Sequence, residues 1–268
     1  MSMKRRAFAL AVVVASGLLL SACGKKEDTA AGRSVGPDGS QPVYVVGSDA
    51  AYAPFEFETD NRQIAGFDID VMKAVADKAG ISIRFINTPF EGIFNSLVQG
   101  DRDILISAIT ITDERSKQMD FSTPYFEASQ LIAVPANSTV QKFADLKSMK
   151  VGVQTATTGD EVVQKLMGKN NPSVKRFEGT PLAMKELEAG GVDAVVADNG
   201  VVVNFIANNP NAKLRTVADD SFPKEYYGIA VRKGDAALLA KINKGIDAIK
   251  ADGTYDAIYE RYFGKKKS

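Results

Sequence analysis

No histidine occurs anywhere in the 268 residues. Its absence removes Ser-His-Asp and Cys-His nucleophilic chemistry and every His-ligated metal site. Cys23 is the only cysteine, so no disulfide can form within the chain. An excess of charge is missing as well: 33 basic residues balance 33 acidic ones, and such a balance does not favour a nucleic-acid partner. Lys265, Lys266 and Lys267 form a short basic tail, which reads as a solvated end. The segment GVQTATTG carries glycines without the GK[ST] that a phosphate loop requires, which argues against nucleotide binding. Asp68 and Asp70 in FDID diverge at helical spacing and no EF-hand loop follows them, so a calcium site is not expected either. The apolar run from Ala7 to Leu20 is too short to span a bilayer comfortably.

That run is preceded by Lys4, Arg5 and Arg6, and together they read as a secretory signal of an exported protein. The LSAC that follows, Leu20 to Cys23, resembles the lipobox of bacterial lipoproteins. The resemblance implies removal of residues 1–22 and lipidation of Cys23, which accounts for the single cysteine. Residues 23–41 are then a tether, rich in Gly, Ser, Lys, Asp and Ala and too poor in large apolar side chains to support a core. A flexible coil of that length reaches about 20–25 Å. The processed chain carries 30 basic against 33 acidic groups, a net charge of −3. It is expected in the cell envelope, in the periplasm or at the outer face of the cytoplasmic membrane, touching the membrane through its lipid only.

The remainder is long enough for two lobes, and the chain's 45% hydrophobic content allows each a core. Apolar strands alternate with helix-period segments: VYVVGS (43–48), FDIDVMKAVADKAG (67–80), ISIRFIN (81–87), EGIFNSLVQG (91–100) and DILISA (103–108). Such alternation predicts an α/β sheet with crossover helices. Ile69, Met72, Val75, Ala76 and Ala79 recur at helical spacing before Gly80, and Leu238, Leu239, Ile242, Ile246 and Ile249 do so near the end. Both stripes read as core. An internal repeat adds to this: Leu97/Leu187, Gly100/Gly190 and Asp103/Asp193 share one 90-residue offset, each set reading helix, glycine stop, strand. Two lobes of similar topology follow, with Ser107–Ala108 and Ala197–Asp198 at equivalent carboxyl ends of strands, where open α/β sheets bind ligands.

Six segments in series carry a more specific likeness. GSDAAYAPFEF (47–57), AGFDIDVMKAVA (65–76), SAITITDER (107–115) with DFSTPY (120–125), VGVQTATTG (151–159), DAVVADN (193–199) and YGIAVRKG (227–234) followed by DGTYDAIYERYFG (252–264) resemble the extracytoplasmic polar amino acid-binding proteins of ABC importers, solute-binding family three. The resemblance implies a periplasmic-binding-protein type II fold: two α/β lobes joined by a two-segment hinge, closing over one free amino acid. Lobe 1 is expected over 42–126 and 228–268 and lobe 2 over 127–227. It implies binding and delivery to an ABC permease and ATPase complex by a monomer, with no enzymatic activity, cofactor or metal.

The same likeness assigns the site. Arg115, with its planar fork of donors, is expected to pair with the ligand's α-carboxylate. Thr110, Ser107, Ala108 and Thr158 surround that anion, and Thr112 is placed to cap the helix that begins after it. Asp198 is expected to hold the ammonium; from the residues alone it reads equally well as the N-cap of the helix that starts at Asn199. Tyr52 and Phe90 are expected as aromatic walls. Side-chain choice falls to Asp49 and Gln154: glutamine-binding relatives carry a Lys at the position of Gln154, and basic amino acid binders lack it. An acidic pocket without an internal cation points to arginine, lysine, ornithine or histidine. Glutamine is the alternative ligand. A second class, a periplasmic dehydratase acting on prephenate or arogenate, would need an acid and a base over a ring, and Glu56, Glu91 and Glu127 are the only loosely placed candidates.

Overall fold

The computed structural model describes residues 42–265. The expected signal, Cys23, the tether to residue 41, and Lys266 and Lys267 lie outside the described residues.

Two five-stranded sheets share one strand order. In the first the order is Ser82–Asn87, Val43–Ser48, Ile104–Leu105, Ala230–Arg232, Met119–Phe121. The first three strands are parallel, and Ala230–Arg232 runs antiparallel to both its neighbours. In the second the order is Val174–Phe177, Val151–Gln154, Ala194–Asp198, Gln130–Pro135, Leu214–Val217. Again three strands are parallel and the fourth, Gln130–Pro135, is antiparallel to both neighbours. The chain therefore crosses between sheets twice, outward through Phe126–Ala128 and back through Glu225–Tyr227, and these two segments pair antiparallel with each other. The result is the two-lobed type II architecture.

The repeat has a physical basis. Gly100 and Gly190 follow the helices Phe90–Val98 and Thr180–Glu188 with φ of +87° and +77°, a region that glycine enters without strain. Three residues later Asp103 accepts the Val45 N–H through Oδ2 at 2.7 Å, and Asp193 accepts the Lys150 N–H through Oδ2 at 2.8 Å. Each aspartate ties the start of the third strand in its sheet's order to the beginning of the second. The helix Phe67–Ala79 buries Ile69, Met72, Val75 and Ala76 and stops at Gly80. Leu238, Ile242, Ile246 and Ile249 are the buried stripe of Ala236–Ala251, which packs against it in the same core.

One strand is shorter than its sequence predicts. Residues 103–108 pair as a strand only over Ile104–Leu105. Beyond Ile106 the chain turns out of the sheet, because Ala108 takes φ +45° and its N–H is drawn to Asp68 Oδ2 at 2.7 Å. Ser107 and Ala108 thus sit past the strand end and face the other lobe's elements.

Aromatic rings pack around the two crossing segments. Phe55 meets Phe126 edge-on at 4.9 Å and Tyr227 at 5.3 Å, while Phe126 stacks on Tyr227 at 5.4 Å. Gly66 lets the first helix approach this cluster. At φ +134°, its N-cap position brings the Phe67 and Asp68 N–H groups onto the carbonyls of Pro54 and Phe55, both at 2.9 Å. A Cβ there would lie 2.1 Å from the Phe55 carbonyl oxygen. Gly66→Ala is therefore expected to destabilise the fold by roughly 2–4 kcal/mol, combining backbone strain and overpacking. A chemical-denaturation midpoint unchanged from wild type would contradict this.

Candidate functional site

Between the sheets lies a narrow, nearly closed cavity with an open volume of only about 10 Å³. Its lining brings together Asp49, Tyr52, Phe90, Ser107, Ala108, Thr110, Arg115, Gln154, Thr158 and Asp198, the positions expected to meet an amino acid, and adds Thr157, while Glu56, Glu91 and Glu127 do not line it. They arrive from distant parts of the chain because both sheets point strand ends at one another, as open α/β sheets do.

Arg115 sits in the short helix Asp113–Gln118, whose N-cap is Thr112: the threonine hydroxyl accepts the Arg115 N–H at 3.2 Å. The cap aims the side chain inward. Its guanidinium donates from Nη1 to the Thr110 carbonyl at 2.8 Å and from Nη2 to the Ala156 carbonyl at 3.2 Å, one from each lobe. The charge also lies over the rings of Phe94 and Phe90, 4.8 and 5.6 Å from their centroids. Both carbonyls are neutral, so the positive charge is held rather than cancelled. Burial, opposed by the fields of Glu161, Asp198 and Glu225, lowers its pKa from the ordinary value. A guanidinium carries five N–H donors. Two point at carbonyls, and the rest are free to meet an anion.

Three carboxylates face this cation across the site. Asp49 is held by Gln154 Nε2 at 2.8 Å and by the Phe90 N–H. Burial, outweighing those hydrogen bonds, raises its pKa to about 6. The Gln154 amide has a fixed orientation, since the Thr180 hydroxyl donates to Oε1 at 3.1 Å and Nε2 also donates to the Glu178 carbonyl at 3.1 Å. Asp198 stands at the N-cap position of helix Asn199–Asn208 but makes no side-chain cap bond. The capping role is thus not taken up. Asp198 is instead paired within the protein: Gln130 Nε2 donates to it at 2.5 Å and the Tyr227 and Tyr52 hydroxyls hydrogen-bond to it. These donors are neutral. Burial first, then the charge of Glu225, raises its pKa to about 6.

Glu225 is the charged residue of the site that sequence reasoning missed. It is buried on the returning crossing segment and accepts the Thr110 hydroxyl at 2.6 Å and the Thr158 hydroxyl at 2.8 Å on Oε2, with Gln130 Nε2 at 3.0 Å on Oε1. It joins both lobes through one side chain. A glutamate whose neighbours Lys224 and Tyr226 are both exposed gives little signal in the linear sequence. Tyr52 and Phe90 belong to hydrophobic cores while also lining the cavity, so each serves both roles. Asp70, by contrast, turns away to Arg261 and Tyr262, and FDID holds its two carboxylates on separate partners.

The sequence profile of the bacterial extracellular solute-binding proteins, family 3, matches residues 44–265. The chain belongs to that family. A probable histidine-binding protein of Neisseria gonorrhoeae is 44% identical to this solute-binding protein over 99% of this chain and 98% of its own. The ABC transporter arginine-binding protein 1 of Escherichia coli is 37% identical over 81% of this chain and 89% of its own. Among solved structures, the arginine-, lysine-, histidine-binding protein ArtJ of Geobacillus stearothermophilus superposes with a TM-score of 0.82 at 44% identity, covering 85% of this chain and 97% of that one.

The raised carboxyl groups set a sign. With folded values near 6 against an ordinary 3.8, Asp49 and Asp198 bind protons more readily in the folded state. Their contribution to the stability of the unliganded fold is complete below about pH 4 and is lost as pH rises through 6. Replacing Glu225 by Gln removes one of the charges that raise Asp198, so its carboxyl should titrate lower than in wild type. Carbon NMR of the aspartate carboxyls measures this, and an unmoved Asp198 would mean that Glu225 carries no charge.

Proposed function

We propose that the cleft binds a free basic L-amino acid, arginine, lysine, ornithine or histidine, and delivers it to an ABC permease. Arg115 takes the α-carboxylate, Asp198 the α-ammonium and Asp49 the side-chain cation, with Tyr52 and Phe90 as walls and Ser107, Ala108, Thr110 and Thr158 as the polar rim. The boundaries that fit this reading are 42–126 and 228–268 for lobe 1 and 127–227 for lobe 2. The protein acts as a monomer, lipidated at Cys23 after removal of residues 1–22 and held by the 23–41 tether. It binds and delivers without catalysis.

The observation that carries the ligand class is the use of Gln154's donors. Both N–H groups of its amide are committed, one to Asp49 and one to the Glu178 carbonyl. What remains for a ligand's side chain at this end is acceptor capacity, on Asp49 and on Gln154 Oε1. A guanidinium, ammonium or imidazolium offers donors only and fits. Glutamine's amide oxygen would meet no free donor there, and a buried acceptor left unpaired costs about 1–3 kcal/mol.

Calorimetry with a panel of free amino acids tests the reading directly. Arg115→Ala should weaken every ligand by about two to three and a half decades, the cost of stranding a carboxylate in a closed cleft. Asp49→Asn should weaken arginine by at least about tenfold and glutamine by less than about threefold. Equal losses for the two would show that Asp49 does not read the side chain.

Acid should act on the same two residues. A bound cation needs Asp49 and Asp198 ionised, and each group at about 6 costs roughly tenfold in affinity per pH unit below that value. Between pH 8 and pH 5 arginine affinity should fall about a hundredfold, against about tenfold for glutamine, which engages only Asp198. A flat pH profile for arginine would remove both carboxylates from the site.

A further inference from the structure

Behind the cleft wall of the first lobe lies a second acidic cluster that the ligand reading does not use. Glu56, on the strand Glu56–Glu58, and Asp68, in the first turn of the helix Phe67–Ala79, have no solvent exposure. Three of the donors around them are accounted for. The Ser107 hydroxyl donates to Glu56 Oε1 at 3.0 Å, and the Ala108 N–H and the Tyr125 hydroxyl both donate to Asp68 Oδ2 at 2.7 Å. The remaining oxygens, Glu56 Oε2 and Asp68 Oδ1, receive no donor from the rest of the described protein. The two carboxyl groups nevertheless adjoin, close enough that each perturbs the titration of the other. Two carboxylate oxygens are both acceptors, so a bond between them requires a proton. Asp49, Tyr52, Tyr125 and Tyr255 are among the titratable groups that interact most strongly with the pair, and none of these four is a cation.

We propose that Glu56 and Asp68 share one proton, and that this singly charged pair is the positioning element that fixes the two lobe 1 turns lining the cleft, at Asp49 and at Ala108. Burial is the leading cause that lifts both groups, Asp68 to about 6 and Glu56 well above its ordinary value. The hydrogen bonds from Ala108 and Tyr125 favour the anion on Asp68, so the proton resides on Glu56. Its consequence is directional. Glu56 Oε1 can only accept from Ser107, which turns the Ser107 hydroxyl proton away from Asp49 and leaves its lone pair for the Asp49 N–H at 3.0 Å. Asp68, kept as the anion, holds Ala108 at φ +45° and ties in Tyr125, just ahead of the outgoing crossing segment. Loss of the proton would set two buried charges against each other and release both turns.

The proton predicts a double-substitution pattern that ordinary packing does not. Glu56→Gln puts an amide N–H where the acid proton was. Asp68→Asn supplies the donor from the other side and lets Glu56 ionise. Each single change keeps one donor between the two groups and the same total charge. The double variant sets two amide NH₂ groups face to face, because both outer oxygens are still committed as acceptors. Arginine affinity should therefore stay within about threefold of wild type in each single variant and fall more than about thirtyfold in the double, with the melting temperature following the same pattern. Infrared spectra at pH 8, where Asp49 and Asp198 are ionised, should contain the C=O stretch of a protonated carboxylic acid that disappears in either single variant. Absence of that band, a double variant no worse than the singles, or Glu56→Gln as damaging as Glu56→Ala would each overturn the proposal. The binding arm rests on the ligand reading above, whereas the band and the melting cycle need no ligand. A wild-type protein that binds no amino acid would thus defeat the ligand reading and leave the proton to be judged by those two measurements.

Discussion

Everything in the cleft is arranged around one buried cation. Among the described residues Arg115 is the only buried lysine or arginine. It is gripped by a carbonyl of each lobe, Thr110 on one side and Ala156 on the other. A buried charge is costly unless it is compensated. Carbonyl dipoles and the two phenylalanine faces supply part of that compensation, and the fields of Glu161, Asp198 and Glu225 supply more without quenching it by contact. The fold thus keeps a positive centre ready for an anion and surrounds it with a negative excess.

The same contacts explain how closure can be biased. Several interactions connect elements that belong to different lobes or to the crossing strands, beginning with Asp49 to Gln154 and Arg115 to Ala156, and including Glu225 with Thr110 and Thr158 and Tyr227 with Asp198. Separating the sheets breaks the first two outright, and Glu225 cannot keep both threonines. A ligand shifts an equilibrium only by its difference in affinity between states. Groups that meet only when the lobes are together, Asp49 and Arg115 from one side and Gln154 and Ala156 from the other, are where that difference arises.

Much of this was legible in the sequence because it rests on local or repeated signals. The 90-residue offset marked Asp103 and Asp193, which perform the same strand-tying bond in each lobe. Thr112 before two acidic residues marked the cap that aims Arg115. The amphipathic stripes of Phe67–Ala79 and Ala236–Ala251 marked their buried faces. What stayed hidden depends on pairs far apart in the chain. Glu225 meets Thr110 across 115 residues, and Gln130 meets Asp198 across 68, with no periodicity to announce either. The strand at 103–108 was overextended for a related reason: the apolar run continues to Ile109, but Asp68, forty residues earlier, captures the Ala108 N–H and turns the chain. Asp68 itself was set aside with Asp70 as a diverging pair, which is how the two are oriented. Its partner, Glu56, lies across the turn that Gly66 closes.

Selectivity in such a site is a matter of counting donors and acceptors rather than of volume. The cavity's size does not by itself distinguish glutamine from lysine. At its far end, however, Gln154 is tied down by Thr180, Glu178 and Asp49, so its amide cannot turn to serve as a donor. Had Thr180 not held Oε1, the amide could flip and present its oxygen to Asp49 only at the cost of opposing two acceptors, so the orientation is doubly enforced. The neutral glutamine at this position therefore behaves as a fixed wall that meets Asp49 with an amide rather than a cation. On the reading proposed above, an acceptor-only subsite beside a carboxylate favours a cationic side chain over an amide, because the amide's oxygen would be left unpaired there, which is a stronger filter than fit alone.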